Sequence, residues 1–386
     1  MSELHLHIVS FDIPYPPNYG GVIDVFYKIK ALHAAGVKVH LHCFEYHREP
    51  AKELDELCEV VHYYPRKTGV VAALSWKPYI VFGRRSDELL KTLCRDDFPI
   101  LFEGLHSCYY LSHPSLKNRI KIYRESNIEH HYYFHLSKVE KNFFKKIYFI
   151  FSGIKLRSFQ KILSYSDLML TVSKEDQQYL QNRFPANRVE YVPSFHHDDD
   201  IHILPGKGDF ALYHGNLGVG ENFRAAEHLV RHVFEGSAVK LVVAGLNPPD
   251  DLVELVAKHE NISLVSNPTD EEMFRLISAA QVNILITFQA TGLKLKLLNA
   301  LFNGRYCLVN PEMIAGTLLG DLCEIGINDE ELRQKTEVLM HCSFLEDQIS
   351  SRREQLLRWH SNHDNCRTLI NFISLLYNSP DNHTTT

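Results

Sequence analysis

Residues 282–310, VNILITFQATGLKLKLLNALFNGRYCLVN, decide the fold. The run 282–288 is apolar and partly β-branched, the pattern of a parallel strand covered on both faces. Gln289, Ala290, Thr291 and Gly292 interrupt it. From there the apolar residues fall at Leu293, Leu295, Leu297, Leu298, Leu301 and Phe302, which predicts a helix buried over much of its surface. Gly304 ends the helix, and Tyr306 begins the next strand. Strand, glycine turn, helix, strand is the unit of an open parallel α/β sheet. Ligands of such sheets sit beyond the carboxyl ends of the strands, where helix N-termini offer N–H groups to anions. Lys294 and Lys296 fall in the first turn, where cations oppose the helix dipole. They are either solvated surface groups or the cationic part of a phosphate site, and the glycine turn beside them favours the phosphate site.

The same unit recurs outward in both directions. Downstream of residue 210 the strands are expected at 210–214, 240–245 and 262–265, with helices from about Glu221 and over 271–280. Gly215 and Asn216 follow the first of these strands. Upstream, a strand at 5–11 leads through a proline-rich loop to Gly20 and Gly21, a helix over 22–35 and a strand at 37–44. Further strands are expected at 59–64, 100–103, 120–124, 165–174 and 189–192. No G-x-G-x-x-G follows the first strand, which excludes the dinucleotide-binding fingerprint. The strand ends bring Glu103, His106, Arg124, Glu125, Ser126 and Asn127 to one edge. Between the halves, HHDDDIH at 196–202 has metal-ligand residue types. Consecutive residues of an extended segment rarely converge on one ion, so it reads as a solvated hinge and no metal site is expected. The tail SPDNHTTT has nothing to bury.

Composition sets the bounds. The chain has 386 residues, 45% hydrophobic and 23% charged, with a formal net charge of −6. That is enough for two cores and is the wrong sign for a general nucleic-acid binder. Eight cysteines stand singly without C-x-x-C spacing, which fits reduced core thiols and a cytoplasmic location. The N-terminus lacks the basic start and apolar stretch of a signal peptide. Residues 137–161, SKVEKNFFKKIYFIFSGIKLRSFQK, interleave basic and aromatic side chains. This is either an amphipathic helix pair packed on its own domain or a peripheral contact with the inner face of a membrane.

The run TGLKLKLLNALFNG, 291–304, resembles the nucleotide-sugar segment of family 4-type retaining glycosyltransferases with the GT-B fold, E-G-F-G-x-x-x-x-E-A-x-x-x-G. Thr291 and Asn299 stand where that family has its two glutamates, while the spacing and the glycines are kept. YRESNIEHHYY, 123–133, is similar to a Y-R-x-H-N-I-E-x-x-Y-Y segment of bacterial members. There a histidine near the reacting sugar takes the place of Ser126; here the histidines come later, at 130 and 131.

The resemblance implies an α/β fold of the GT-B kind, two Rossmann-like parallel-sheet domains facing across a cleft. It implies an acceptor domain over 1–193 completed by a helix at about 360–378, a linker at 194–209, a nucleotide-sugar domain over 210–359 and a loose tail at 379–386. The activity implied is retaining hexosyl transfer from a nucleotide-diphospho sugar to a glycan or lipid-linked acceptor of a bacterial cell surface, with no obligatory cofactor. Gly20, Gly21, Gly215, Asn216, Asn222, Thr291, Gly292, Lys294, Lys296 and Asn299 are then the donor-binding candidates. Glu103, Glu125, Asn127 and His130 are the catalytic candidates on the acceptor side. The loop GNLGVGEN lacks the arginine and lysine that clamp the diphosphate in the family. Two other readings stay open: a non-catalytic relative that binds a sugar or partner, and a nucleotide-sugar epimerase, which would need water-activating acids.

Overall fold

The computed structural model describes residues 3–69, 75–140, 142–288 and 294–377. Seven parallel strands form the first sheet: β1 (His5–Val9), β2 (Lys38–Glu45), β3 (Val60–Pro65), β4 (Ile100–Glu103), β5 (Lys121–Glu125), β6 (Leu168–Thr171) and β7 (Arg188–Tyr191), in the order β3-β2-β1-β4-β5-β6-β7. Six more form the second: β8 (Ala211–Asn216), β9 (Leu241–Leu246), β10 (Ile262–Ser266), β11 (Val282–Leu285), β12 (Tyr306–Val309) and β13 (Glu324–Ile325), in the order β10-β9-β8-β11-β12-β13. All named pairs within both sheets are parallel. Parallel neighbours need crossovers, and helices supply them, as the alternating sequence predicts. The chain divides into two compact units. One runs to Phe195 and takes back the last helix from Asn362; the other lies between His196 and Ser361. Among the described residues no helix is long and apolar enough to cross a membrane.

In the first unit, Leu6, Ile8, Val39, Leu41, Leu101 and Ile122 pack one sheet face against Val25, Ile29 and Leu32 of α1 (Gly20–Ala34). The last helix, Asn362–Tyr377, adds Cys366, Leu369 and Ile373 to that core. On the other face Val9, Phe102, Tyr123 and Met169 meet Leu156 and Leu180. Leu156 belongs to a helical hairpin, α2 (Glu129–Val139) and α3 (Phe143–Phe159). The hairpin closes tightly because a Cβ on Gly153 would fall 2.7 Å from Phe134 Cε1.

Two polar arrays lie inside this unit. The first is a buried ion quartet. Lys28 of α1 donates to Asp24 at 2.9 Å and to Glu103 at 2.7 Å, and Arg124 Nη2 donates to Asp24 at 3.0 Å. Arg124 also donates to the carbonyls of Val192 and Pro193. Burial would raise the Asp24 carboxyl, but Arg124 and Lys28 beside it hold it well below the usual carboxylate range. The second array is a ladder of imidazoles. His5 and His7 on β1, His40 and His42 on β2 and His62 on β3 alternate with core residues, so their rings share a face. Ring nitrogens of His7 and His42 lie 2.8 Å apart, and those of His5 and His40 3.0 Å. His42 also meets the Tyr64 hydroxyl at 3.0 Å, and His7 meets Asp96 at 3.0 Å. Burial lowers His7 to about 4 against the pull of Asp96, and it lowers His42 well below the ordinary value. His7 and His42 are therefore neutral rings at the buried end of the ladder, able to donate and accept between them.

The second unit corrects one expectation. His196 and Asp198, read from sequence as parts of a solvated hinge, are only 3% and 4% exposed. His196 Nε2 meets the His360 carbonyl at 2.7 Å, and Asn303 donates to Asp198 at 3.1 Å. Both partners come from distant helices, which local composition does not reveal. Among the described residues no group of three or more His, Cys, Asp or Glu side chains could hold a metal ion.

Candidate functional site

In the second unit the candidate site is built on the carboxyl ends of β8 and β11. β8 runs alongside β9 with Gly215 opposite Gly245. A Cβ on Gly245 would fall 1.8 Å from the Gly215 carbonyl oxygen, so the crossing tolerates no side chain there. The loop then turns on Asn216, whose Oδ1 accepts from Gly218 N at 3.1 Å. Asn222, in the first turn of α4 (Gly220–His228), reaches back and donates to the Asn216 carbonyl at 3.0 Å. Its Oδ1 accepts from Lys296 Nζ at 3.1 Å.

Lys296 lies in the first turn of α5 (Leu295–Asn303), and Lys294 is that helix's N-cap residue. The ammonium sits 5.3 Å from the centre of the Tyr213 ring, and the Tyr213 hydroxyl donates to the Asn222 carbonyl at 3.1 Å. Burial lowers Lys296 to about 8; Glu221 opposes the shift and Lys294 adds to it. Glu221 is held in turn by the Thr287 hydroxyl, just beyond β11. Burial also lowers His214 to about 3, again with Lys296 adding, and its Nε2 is buried without a partner among the described residues. The result is a desolvated cation beside a second lysine at a helix start, a setting that an anion would stabilise.

Gly215, Asn216, Asn222, Lys294 and Lys296 thus come together in one unit. Thr291 and Gly292 lie outside the described residues. Asn299 lies within α5, where its Oδ1 accepts from Asn303 Nδ2 at 2.8 Å. Sequence reasoning assigned no cation to the loop after β8. Arg224, two residues after Asn222 in α4, lies with its guanidinium 5.4 Å from the centre of the Phe288 ring.

In the first unit a second cluster forms beyond β1, β4 and β5. Gly21 is bare because a Cβ there would meet Phe11 Cζ at 2.6 Å. α1 begins at Gly20, and Gly21 lets it start against the Phe11 ring, whose centre lies 5.5 Å from that of the His106 ring in a tilted arrangement. Gly104, at φ 69°, makes the turn that presents His106. His106 Nδ1 lies 3.5 Å from Glu129 Oε1. Arg84 is buried beside them and donates from Nε to the Phe11 carbonyl at 2.6 Å. Burial raises Glu129 to about 8, with Arg84 opposing. Burial lowers His106 well below its ordinary value, with Arg84 and Arg66 adding. Arg84 itself falls to about 9 through burial. At neutral pH this cluster holds a protonated carboxyl next to a neutral imidazole.

Four catalytic candidates were read from sequence, and their surroundings differ. Asn127 carries a buried Oδ1 without a partner among the described residues. Glu125 is buried: Tyr123 donates to it at 2.7 Å and the Asn127 backbone N–H at 3.2 Å. Burial raises its carboxyl well above the usual range. His130 has its Nε2 3.3 Å from the Tyr179 hydroxyl. Glu103 is placed inside the ion quartet, bonded to Lys28, instead of on an open edge. Its partner is a helix residue far upstream, so the spacing around the strand gave no sign of the pairing. Arg84 and Glu129 were not singled out from sequence. Their chemistry comes from burial, and Arg84 arrives from a connection between strands.

No protein-family model matches the chain. It is 26% identical over 318 residues to an uncharacterized 44.6 kDa protein in the cps region of Klebsiella pneumoniae, across 77% of this chain and 80% of that protein. Among solved structures, sucrose-phosphate synthase from Thermosynechococcus elongatus matches with a TM-score of 0.71 at 13% identity, over 97% of this chain and 99% of that one. HepE from Anabaena, solved with UDP and glucose, matches at a TM-score of 0.66 and 10% identity, over 97% and 100%. WaaG, a glycosyltransferase involved in lipopolysaccharide biosynthesis, matches at 0.64 and 13%, over 96% and 99%. The fold is GT-B, the fold of these glycosyltransferases.

Proposed function

We propose that this protein is a retaining glycosyltransferase of the family 4 type, which moves a hexosyl group from a nucleotide-diphospho sugar to a glycan or lipid-linked acceptor. The observation that carries the reading is Lys296, desolvated and fixed by Asn222 at a helix start, with Lys294 beside it. Transfer leaves a diphosphate whose charge must be stabilised, and preorganised cations with helix N–H groups do that without reorganising. Gly215 and Asn216 shape the loop that approaches the phosphates, and Thr291, Gly292 and Asn299 complete the donor site. UDP is the first nucleotide to try, since HepE was solved with it.

The first unit supplies the acceptor side in this reading. Asn127 Oδ1 receives a hydrogen bond from the acceptor hydroxyl, and His106, kept neutral beside Glu129, is the group able to take its proton. Glu125 and His130 act through Asn127 and Tyr179. A polysaccharide acceptor suits a relative from a cps region. The work is done in the cytoplasm, at the inner face of a membrane, and needs no metal.

The test is a thermal-shift panel of UDP, GDP and ADP with their sugars, confirmed by calorimetry. A ligand at ~100 times its Kd stabilises the native state by about 2.7 kcal/mol. A shift by one nucleotide, lost in Lys296→Ala, is the expected result. One observation favours a second reading, a relative that binds without turnover: the Asn299 oxygen is already engaged by Asn303. Absence of a shift with every nucleotide would move the assignment there.

A further inference from the structure

We propose that the outward face of α3 docks on a lipid bilayer carrying anionic headgroups. This deepens the acceptor side of the proposed function and rests on it for its purpose, but it is argued from the helix itself.

The face is apolar and unburied. Phe143, Phe144 and Phe151 are 68%, 81% and 62% exposed, and Tyr148, Ile150 and Ile154 are exposed with them. At 100° per residue these side chains fall on one broad arc. Gly153 and Leu156, which are buried, lie on the other side, where Gly153 meets Phe134. The hairpin is thus satisfied along one side and presents an aromatic stripe along the other. Soluble chains rarely leave such a stripe bare unless something covers it.

Charge selects the occupant. α3 carries Lys145, Lys146, Lys155 and Arg157 and no acidic residue, in a chain whose net charge is −6. Lys145, Lys146 and Arg157 are exposed on the borders of the stripe. Lys155 is half-buried and donates to the Ser75 carbonyl at 2.9 Å, tying the helix to the body of the unit. Aromatic rings settle at the headgroup level, and lysines beside them gain from anionic lipid, about fivefold in partitioning for each. A second copy of this chain would bring the same cations against these and repel. The helix has 17 residues with charges along it, so it lies in the plane of the interface and does not span it.

The experiment is co-sedimentation of the full chain with vesicles at low salt, without nucleotide or sugar. Phosphatidylcholine mixed with phosphatidylglycerol should bind at least about tenfold more protein than phosphatidylcholine alone, and raised salt should reverse the gain. Phe144→Ser with Phe151→Ser should abolish binding, and Lys145→Glu with Lys146→Glu should abolish the preference for phosphatidylglycerol. These positions are exposed, so circular dichroism should report an unchanged fold. A wild-type chain that stays in the supernatant overturns the proposal, as does equal binding by the serine variant. So does a dimer, seen by light scattering, that the serine variant dissolves. Calorimetry with nucleotide, run without vesicles, reads the donor site separately.

Discussion

Asn222 Oδ1 lies 3.1 Å from Lys296 Nζ, so the residue that closes the loop after β8 also fixes the lysine at the start of α5. Position and charge can be separated. Lys296→Met should weaken nucleotide-diphosphate binding by ~10–100-fold, the worth of a charge-assisted hydrogen bond. The same variant should melt no lower than the parent, because a desolvated ammonium is removed. Asn222→Ala should weaken binding less, by misplacing the lysine. Calorimetric Kd values and melting temperatures check all three.

The ion quartet should be costly to break and cheap to replace whole. Lys28→Ala leaves Asp24 and Glu103 sharing one cation, Arg124, and should destabilise by ~3–5 kcal/mol. Lys28→Met combined with Glu103→Leu should recover most of the loss. Urea unfolding of Lys28→Met, Glu103→Leu and the double variant gives the coupling.

Glu129 should lose stability for the protein as pH rises. Its ordinary value is 4.5, and in the fold it is about 8. Its contribution is full below about 4.5, declines as the unfolded chain gives up its proton, and is gone above 8. Glu129→Gln should therefore raise stability at pH 7.5 by ~2–4 kcal/mol and flatten that slope. An unchanged melting temperature across that range would remove the protonated carboxyl from the account.

The imidazole ladder acts in the opposite direction. His7 falls from 6.5 to about 4, so its contribution is full above 6.5 and is lost as pH drops toward 4. His7 alone is worth ~3 kcal/mol across that window, and His42 adds in the same sense. His42→Leu should shallow the acid limb of a stability-against-pH curve.

Gly245→Ala should be among the most damaging small substitutions. The new methyl would fall on a backbone oxygen of the neighbouring strand, which cannot rotate away. A loss of ~2–3 kcal/mol is expected, together with loss of the nucleotide-dependent shift.

The strand–helix alternation was legible because each apolar run has the period of its element, and glycines mark the ends. The second strand of the decisive stretch, 306–309, is found as read, whereas the first stops at Leu285, three residues short of the apolar run. Lys296 was legible from its place after a glycine turn, although its tie to Asn222, 74 positions earlier, was not. The cluster beyond β1, β4 and β5 was read only in part. Asn127 was found at a strand end, but Arg84 and Glu129 gain their character from burial against residues brought in by other connections. Glu103 was legible as a carboxylate at a strand end, but nothing around it in the sequence pointed to the Lys28 that meets it.

Cys366, Leu369 and Ile373, contributed after the chain has left the second unit, pack in the core of the first. In gene terms the second unit is an insertion. Exchange of the second unit between relatives would have to respect two junctions, near 195 and near 362. A fragment that simply ended at Phe195 would leave α1 without the helix that covers it.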